Sequence, residues 1–552
     1  MVRRRYGLPI LVWADKRRLC MLAHGYSVFI GINWKRQASH LWGRKVMVID
    51  MKKREEKSPS ASTALTNSLM DNLVELRALF GGSADLTIRR MTVCSREIAL
   101  VSVEGMVDRH MMADAVILPM ARMTGEAASA EALISRIRDE VLGFVDMLQV
   151  TTFEELTNLI TSGFAAVLVE GVPYAVLGGL QGFMIRGIGE PSTEVTVRGS
   201  REGFTEAIRV NISMVRRRLK SPSLTFEMLT VGKTTQTAVC LCYMQDRVSW
   251  QLLDHIRARI QDCPLEAVLE SGYIQPFLEN RRRSLFTSVE ATERPDTLCG
   301  KVLEGRIGVL VDGTPFVLVV PTLFVEHFQS MDDYTQHPVY ASFIRIIKYV
   351  SFFISLFLPG LYVAVGTHHP EMFPPVLLMT FLNSEHATPF PLTVEALLIH
   401  FLFEIMREAG LRFPKAVGHA VSIVGAIVIG ESAVRAGIIG APMVIIVALT
   451  AMSSFVLPSL YGAIAILRFV FIVLGGALGL YGVMLGAILL LCSICALNVQ
   501  SIPFMAPIAP FSFKAMRDVF IRSDWRQLAK KRFKVQNVRG SKIQDGEEEE
   551  DV

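Results

Sequence analysis

The sequence predicts an α/β soluble domain of two subdomains followed by an all-α polytopic membrane domain. Three observations predict it. About 345 mixed, charge-bearing residues precede about 150 that are almost wholly apolar and punctuated by Gly and Pro, from Ile346 to about Pro510. Within the apolar part, stretches such as 347 to 366 carry one Lys in about 20 residues, enough helix to cross a bilayer. Within the soluble part, two segments read as β-hairpins, and they resemble each other. A hydrophobic fraction of 51% over 552 residues agrees with a membrane protein that has a large soluble part and excludes a fully soluble enzyme.

Residues 1 to 66 form a basic leader. Residues 1 to 50 hold 10 Lys/Arg against 2 Asp/Glu, while the rest of the chain holds 47 against 50, so the net charge of +5 comes from this stretch and points to no nucleic-acid partner. It contains Trp13, Trp34 and Trp42, three of five Trp, and shows no helical or strand period. Two readings stand: a start codon called too early, with Met51 the true start, or a genuine basic extension. The apolar run from Met21 to Ile32 is too short and interrupted for a signal peptide. The spacing of the eight Cys suggests neither disulfides nor a metal site, and Cys492 and Cys495 read as small packing residues of a helix.

Folding is expected from near Asn67, with subdomain boundaries at 67 to 190 and 191 to 345. A helical pattern runs over 131 to 149. The first hairpin, "FAAVLVEGVPYAVLGG", turns at Glu170-Gly171-Val172-Pro173, and the second, "RIGVLVDGTPFVLVVP", at Asp312-Gly313-Thr314-Pro315. Residues 165 to 177 align with 307 to 319, with identities at Val167/Val309, Leu168/Leu310, Val169/Val311, Gly171/Gly313 and Pro173/Pro315. Either the two subdomains are related, or two apolar hairpins with Gly-Pro turns look alike for local reasons. Between them Phe204, Ile208, Ile212, Val215 and Leu219 fall at helical spacing, with Ser200 able to cap the start and Pro222 after the end. Its basic end, Arg216, Arg217, Arg218 and Lys220, reads either as a solvated helix end complementing the dipole or as a surface for anionic lipid or an acidic partner. Asp312, Gly313, Arg216 and Arg217 are the candidate subunit contacts.

Membrane spans are expected at about 347–366, 392–407, 417–436, 439–457, 464–480 and 482–498, within a membrane domain of 346–511. The second carries Glu395, His400, Glu404 and Arg407, which points to the interface or to contact with other helices rather than lipid. The tail, 512–552, is basic from Lys514 to Lys542, which places it in the cytoplasm; an even number of spans puts the N-terminal domain there too. The closing "DGEEEEDV" is a charge run.

No catalytic constellation and no cofactor or metal motif emerges. "VGKTTQT" ends like a phosphate-binding loop, but Glu227 stands where the cradle needs Gly. The span "VGHAVSIVGAIVIGESAVRAG" mixes small and β-branched residues and carries Glu431 and Arg435 four apart. Small residues allow close packing, and ionisable groups at membrane depth face protein or water. Ser422, Gly425, Val428, Gly430, Glu431 and Arg435 are therefore the candidate pore or gate residues. The alternative is that the charged pair marks the helix end at the interface.

Several long motifs in one order, "GEPSTEVTVRGSREGFTEAIRVNISMVRRRLKSPSL", "TERPD", "EGRIGVLVDGTPFVLVVPTLF", "REAGLRFPKAVGHAVSIVGAIVIGESAVRAGI" and "VIIVALTAMSSFVLP", resemble the A subunits of bacterial spore germinant receptors, the GerA family. Departures stand at Ser284, Leu285 and Phe286, where the family shows a Ser-Pro-Phe-Pro type segment, at Met331 in place of Glu, and in "NVQSIPFMAPIAPF". The resemblance implies a subunit in the inner membrane of the spore, oligomerising, with a pentamer the expected number, into a nutrient-gated ion channel. Its partners would be a permease-like B subunit and a lipoprotein C subunit. The competing expectation is a non-conducting accessory paralogue from a sporulation dipicolinate-channel operon. A transporter fits less well, since the membrane part shows no repeat between halves.

Overall fold

A computed structural model describes residues 64–125, 127–142, 147–182, 189–191, 193–194, 196–279, 284–412, 430–513, 515–528 and 534–543. The first subdomain begins with α1 (Leu69–Leu79), capped by the Ser68 hydroxyl. It continues through β1 (Leu86–Val93), β2 (Arg96–Val103), β3 (Met147–Val150), α2 (Phe153–Ile160), β4 (Phe164–Val169) and β5 (Ala175–Gly179). The second contains α3 (Ile208–Arg218), β6 (Leu224–Val231), β7 (Thr237–Met244), α4 (Trp250–Gln261), β8 (Glu290–Thr292), α5 (Pro295–Leu303), β9 (Ile307–Val311) and β10 (Val317–Val320). The sheets have the same antiparallel order, β1-β2-β4-β5-β3 and β6-β7-β9-β10-β8.

The likeness extends to single hydrogen bonds. In the first subdomain Asn72 Oδ1 accepts from Thr66 N (2.9 Å) and its Nδ2 donates to Thr66 O (2.7 Å). In the second, Asn211 makes the same pair with Thr205, at 2.8 and 2.6 Å. Glu170 Oε2 accepts from Leu69 N (2.8 Å), and Asp312 Oδ1 accepts from Ile208 N (3.1 Å). Gly171 and Gly313, both at φ 90°, donate to Asn67 O and Glu206 O, each at 2.8 Å. So each hairpin turn satisfies the first N–H of the helix that opens its own subdomain, an anion on the positive helix end. Purely local hairpin similarity does not account for these long-range bonds; two related subdomains do.

Two local expectations change. Ser200 does not cap the central helix. That helix starts later, at Ile208, because residues 205 to 211 are tied by the Thr205–Asn211 pair and Asp312 supplies the acceptor; Ser200 Oγ instead accepts from Arg218 Nη2 (3.0 Å). The helical pattern over 131 to 149 holds through Val141, but Met147–Val150 pairs as an edge strand with residues 175 to 178.

A polar knot anchors the "TERPD" segment to residues 194 to 200. Arg294 donates to Glu194 O, Thr196 Oγ1 and Ser200 O and pairs with Asp296 (2.6 Å), while Thr292 Oγ1 donates to Glu194 Oε2 (2.7 Å). Burial pushes the Glu194 carboxyl up to about 7, helped by Glu290 and Glu293 and opposed by the Thr292 bond and Arg294. A carboxyl raised above its unfolded value of 4.5 binds more protons folded than unfolded. The knot therefore loses stability as pH rises from there through about 7, and is flat above. Protection at residues 196 to 200, that is exchange measured against the intrinsic rate at the same pH, is expected to be lower at about pH 8 than at about pH 6, with the difference removed in Glu194→Gln. Equal pH dependence in both proteins would contradict this.

The helical part comprises α6 (Pro338–His368), α7 (Pro375–Ala387), α8 (Leu392–Arg412), α9 (Ala441–Phe455) and α10 (Tyr461–Cys495). Two described helices are long and apolar enough to cross a membrane, α6 and the one containing α10, and the bent α7–α8 pair would make a third. The expected span at 464–480 and all but the last three residues of that at 482–498 fall within α10, which reverses at Gly479 (φ 63°, ψ −148°). A Cβ at Gly486 would lie 2.9 Å from the Phe471 ring, fifteen residues earlier, which only antiparallel arms allow. The turn at Gly479 meets His368 at the end of α6, and Gly360 lies so close to the Phe471 carbonyl that a Cβ there would be 2.7 Å from it.

The soluble and helical parts share one continuous core. Phe324 packs edge-on to Phe286, Phe328, Phe352 and Phe504 with centroids 5.4–5.9 Å apart, and Phe328 stacks on Tyr349 at 4.1 Å. Below this box Arg345, fully buried, binds Asp333 (3.1 Å) and Asp518 (2.8 Å), tying the first turns of α6 to the segment after α10. Residues 534 to 543 return to the second subdomain, with Val535 and Gln536 buried and Val535 N donating to Glu304 O at 3.0 Å.

Candidate functional site

An isolated charge inside an apolar bundle is costly, so charged residues there gather where partners exist. In α8, His400, Glu404 and Arg407 recur at spacings of four and three, on one helical face. Tyr461 opens α10 and Arg468 follows two turns later. The structure brings these together: Glu404 accepts from the Tyr461 hydroxyl (2.7 and 2.8 Å), pairs with Arg407 (3.4 Å) and lies 3.6 Å from Arg468 Nη1. The Arg407 guanidinium sits 3.6 Å from the Tyr461 ring centroid, a cation–π contact. Arg468 is wholly buried, donates from Nε to Ser355 O of α6 (3.1 Å), and its Nη1 and Nη2 find no hydrogen-bond acceptor among the described residues. His400, also at 0% exposure, makes no hydrogen bond to the described residues through either ring nitrogen. Three helices are thereby joined through a site holding, among the described residues, two guanidiniums for one carboxylate.

The α8 residues answer the expectation that this span packs against other helices. Arg468 was missed, although a single Arg within an otherwise apolar run was a usable signal. A second polar tie lies near the other end of the bundle, where buried Glu395 accepts from Gly440 N at 2.7 Å.

Of the candidate gate residues, Ser422, Gly425 and Val428 lie outside the described residues. Gly430 sits near α9, a Cβ there falling 3.8 Å from Val444. Glu431 and Arg435 pair at 2.5 Å, both exposed, in the last turns before Gly437 (φ 66°). Among the candidate contacts, Asp312 and Gly313 are engaged within their subdomain. Arg217 is partly buried against Glu202 (2.6 Å). Arg216 is fully buried rather than at a solvated helix end. It forks onto Asp85 (2.7 and 3.0 Å), donates to Ser221 O and Leu224 O, and lies over Phe80 and Phe226, joining the two subdomains.

The Bacillus/Clostridium GerA spore germination protein model matches residues 74–534, across both sheets and the polar site. The chain belongs to the GerA family. Within the family it is 39% identical over 466 residues to spore germination protein KA of Bacillus subtilis (strain 168), covering 84% of this chain and 85% of that protein. It is 33% identical over 462 residues to spore germination protein GerLA of Bacillus cereus, covering 83% and 94%. The crystal structure of the N-terminal domain of the A subunit of the Bacillus megaterium spore germinant receptor GerK3 matches 48% of this chain and 99% of its own, at 28% identity and a TM-score of 0.38.

Proposed function

We propose that this chain is the A subunit of a nutrient germinant receptor in the inner membrane of the spore. Several copies, five being the expected number, assemble around the span expected at 417–436 into a nutrient-gated ion channel. A permease-like B subunit and a lipoprotein C subunit complete the receptor. The observation that carries the reading is family membership across residues 74–534, which spans the soluble and helical parts alike. The closed polar site supports a path between copies rather than through one. Buried Arg468 and half-buried Arg407 set two cations against one carboxylate among the described residues, which opposes cation passage, whereas Glu431 and Arg435 remain exposed. Docking of residues 534–543 on the second subdomain supports both termini lying on one side, the cytosolic side by the positive-inside rule.

Gating is then a population shift: nutrient on a partner subunit favours an open arrangement because it binds that arrangement more tightly. Spores carrying Val428→Ala are expected to release cations without nutrient, since a smaller side chain at the constriction favours the open arrangement. Unchanged, nutrient-dependent release at normal protein levels would remove this helix as the gate.

A further inference from the structure

The segment after α10 holds a row of large apolar side chains outward on a pinned scaffold. Phe511, Phe513, Phe520, Ile521 and Trp525 are exposed, Phe513 at 81% and Ile521 at 64%. Their backbone is fixed from behind: Val519 is buried in the shared core, Asp518 is held by Arg345, Arg522 N donates to Ser342 Oγ (3.0 Å), and the Arg522 guanidinium lies 5.0 Å from the Trp525 ring. The charges exposed among them are Arg517, Asp524 and Arg526, and the sequence continues with Lys530, Lys531 and Arg532.

The depth of this row follows from α6. Its 31 residues span about 46 Å at the usual helical rise, against about 30 Å of bilayer hydrocarbon. The apolar run 347–366 fills the hydrocarbon, so residues 338–346 project from it on the side of the sheets. The partners of the tail on α6, Ser342 and Arg345, belong to that projecting stretch. The outward face there is also apolar, with Val339, Tyr340 and Phe343 exposed, and Phe520 of the tail row meets Tyr349 of the same helix with ring centroids 4.7 Å apart. Aromatic rings beside Arg at headgroup depth are the composition of an interfacial anchor.

We infer that residues 511–526 lie in the membrane interface and bind anionic phospholipid, the rings among the upper acyl chains and Arg517 and Arg526 on headgroup phosphates. The inference rests on α6 spanning the membrane. It goes further in making the Asp518–Arg345–Asp333 clasp, which joins tail, α6 and soluble domain, a lipid-supported joint.

The test uses the full chain in nanodiscs whose lipids carry brominated acyl chains, which quench Trp emission on contact. The Trp525 contribution is the difference between the native chain and Trp525→Phe, and Phe513→Trp in that background supplies a second reporter on the same face. Loss of Trp525 emission, stronger with phosphatidylglycerol present and weakened by Arg517→Glu with Arg526→Glu, is the expected result. Undiminished emission from both reporters, while a Phe353→Trp reporter on the lipid side of α6 is quenched, would overturn the inference and point to protein covering the row. Quenching indifferent to phosphatidylglycerol and to the charge reversals would overturn the headgroup contact. No quenching at Phe353→Trp would overturn the membrane placement of α6 itself.

Discussion

Replacing Arg216 by Ala is expected to destabilise the soluble part by about 3–5 kcal/mol, the range for breaking a buried ion pair by removing one partner. The size comes from what is left behind. Asp85 is 3% exposed, and its carboxylate loses both guanidinium bonds while Ser83 Oγ, at 2.5 Å, remains its neighbour. Two backbone carbonyls, of Ser221 and Leu224, lose their donor as well, and Phe80 and Phe226 lose the planar group between them. Replacing both partners by apolar residues, Arg216→Met with Asp85→Leu, should recover much of the loss, because neither charge then stays buried alone. Thermal unfolding of the detergent-solubilised full chain, run as a double-mutant cycle, reads both effects. A midpoint for Arg216→Ala equal to the native value would mean that the two sheets are held together by something other than this fork.

Much of this fold is legible in the chain because it is written locally. Continuous apolar runs around Glu170-Gly171 and Asp312-Gly313 mark the hairpins, and their alignment extends to a shared task, since both turns reach a helix start. Apolar runs locate the long helices. What local pattern cannot carry is pairing across distance. Arg216 sits in a row of basic residues that reads as a solvated helix end, and its partner lies 131 positions earlier, so only the docked subdomains show it to be internal. Ser200 is a sound cap by type, yet a carboxylate 104 positions from Ile208 takes the role. The strand Met147–Val150 ends a helical period, and edge pairing with β5 decides its conformation. In the helical part, Glu404 and Arg407 announce an unusual span. Their tie to Tyr461 and Arg468 appears only once α8 and α10 are side by side.

That tie carries the other large expected effect. Glu404→Gln keeps the shape of the side chain and an acceptor for the Tyr461 hydroxyl, but removes the only carboxylate facing two guanidiniums among the described residues of this cluster. Arg468, at 0% exposure and already without acceptors at Nη1 and Nη2 among the described residues, then has no counter-charge among them. About 3–5 kcal/mol is again the expected loss. Arg468→Met should cost less, because Glu404 keeps Arg407 and Tyr461 and the methionine fills a similar volume. Combining the two changes should be milder than Glu404→Gln alone, as the unpaired buried cation is gone. Protein level in spore membranes and nutrient-triggered cation release separate two roles for the site. If the cluster is a strut, Glu404→Gln lowers both together and Arg468→Met restores both in the double variant. If Glu404 instead lines the path of the ions, release falls while protein level stays normal, and removing Arg468 raises cation release by lifting a repulsive charge. The geometry favours the strut, since a carboxylate held by a hydroxyl and a guanidinium is already neutralised where a passing cation would need it free.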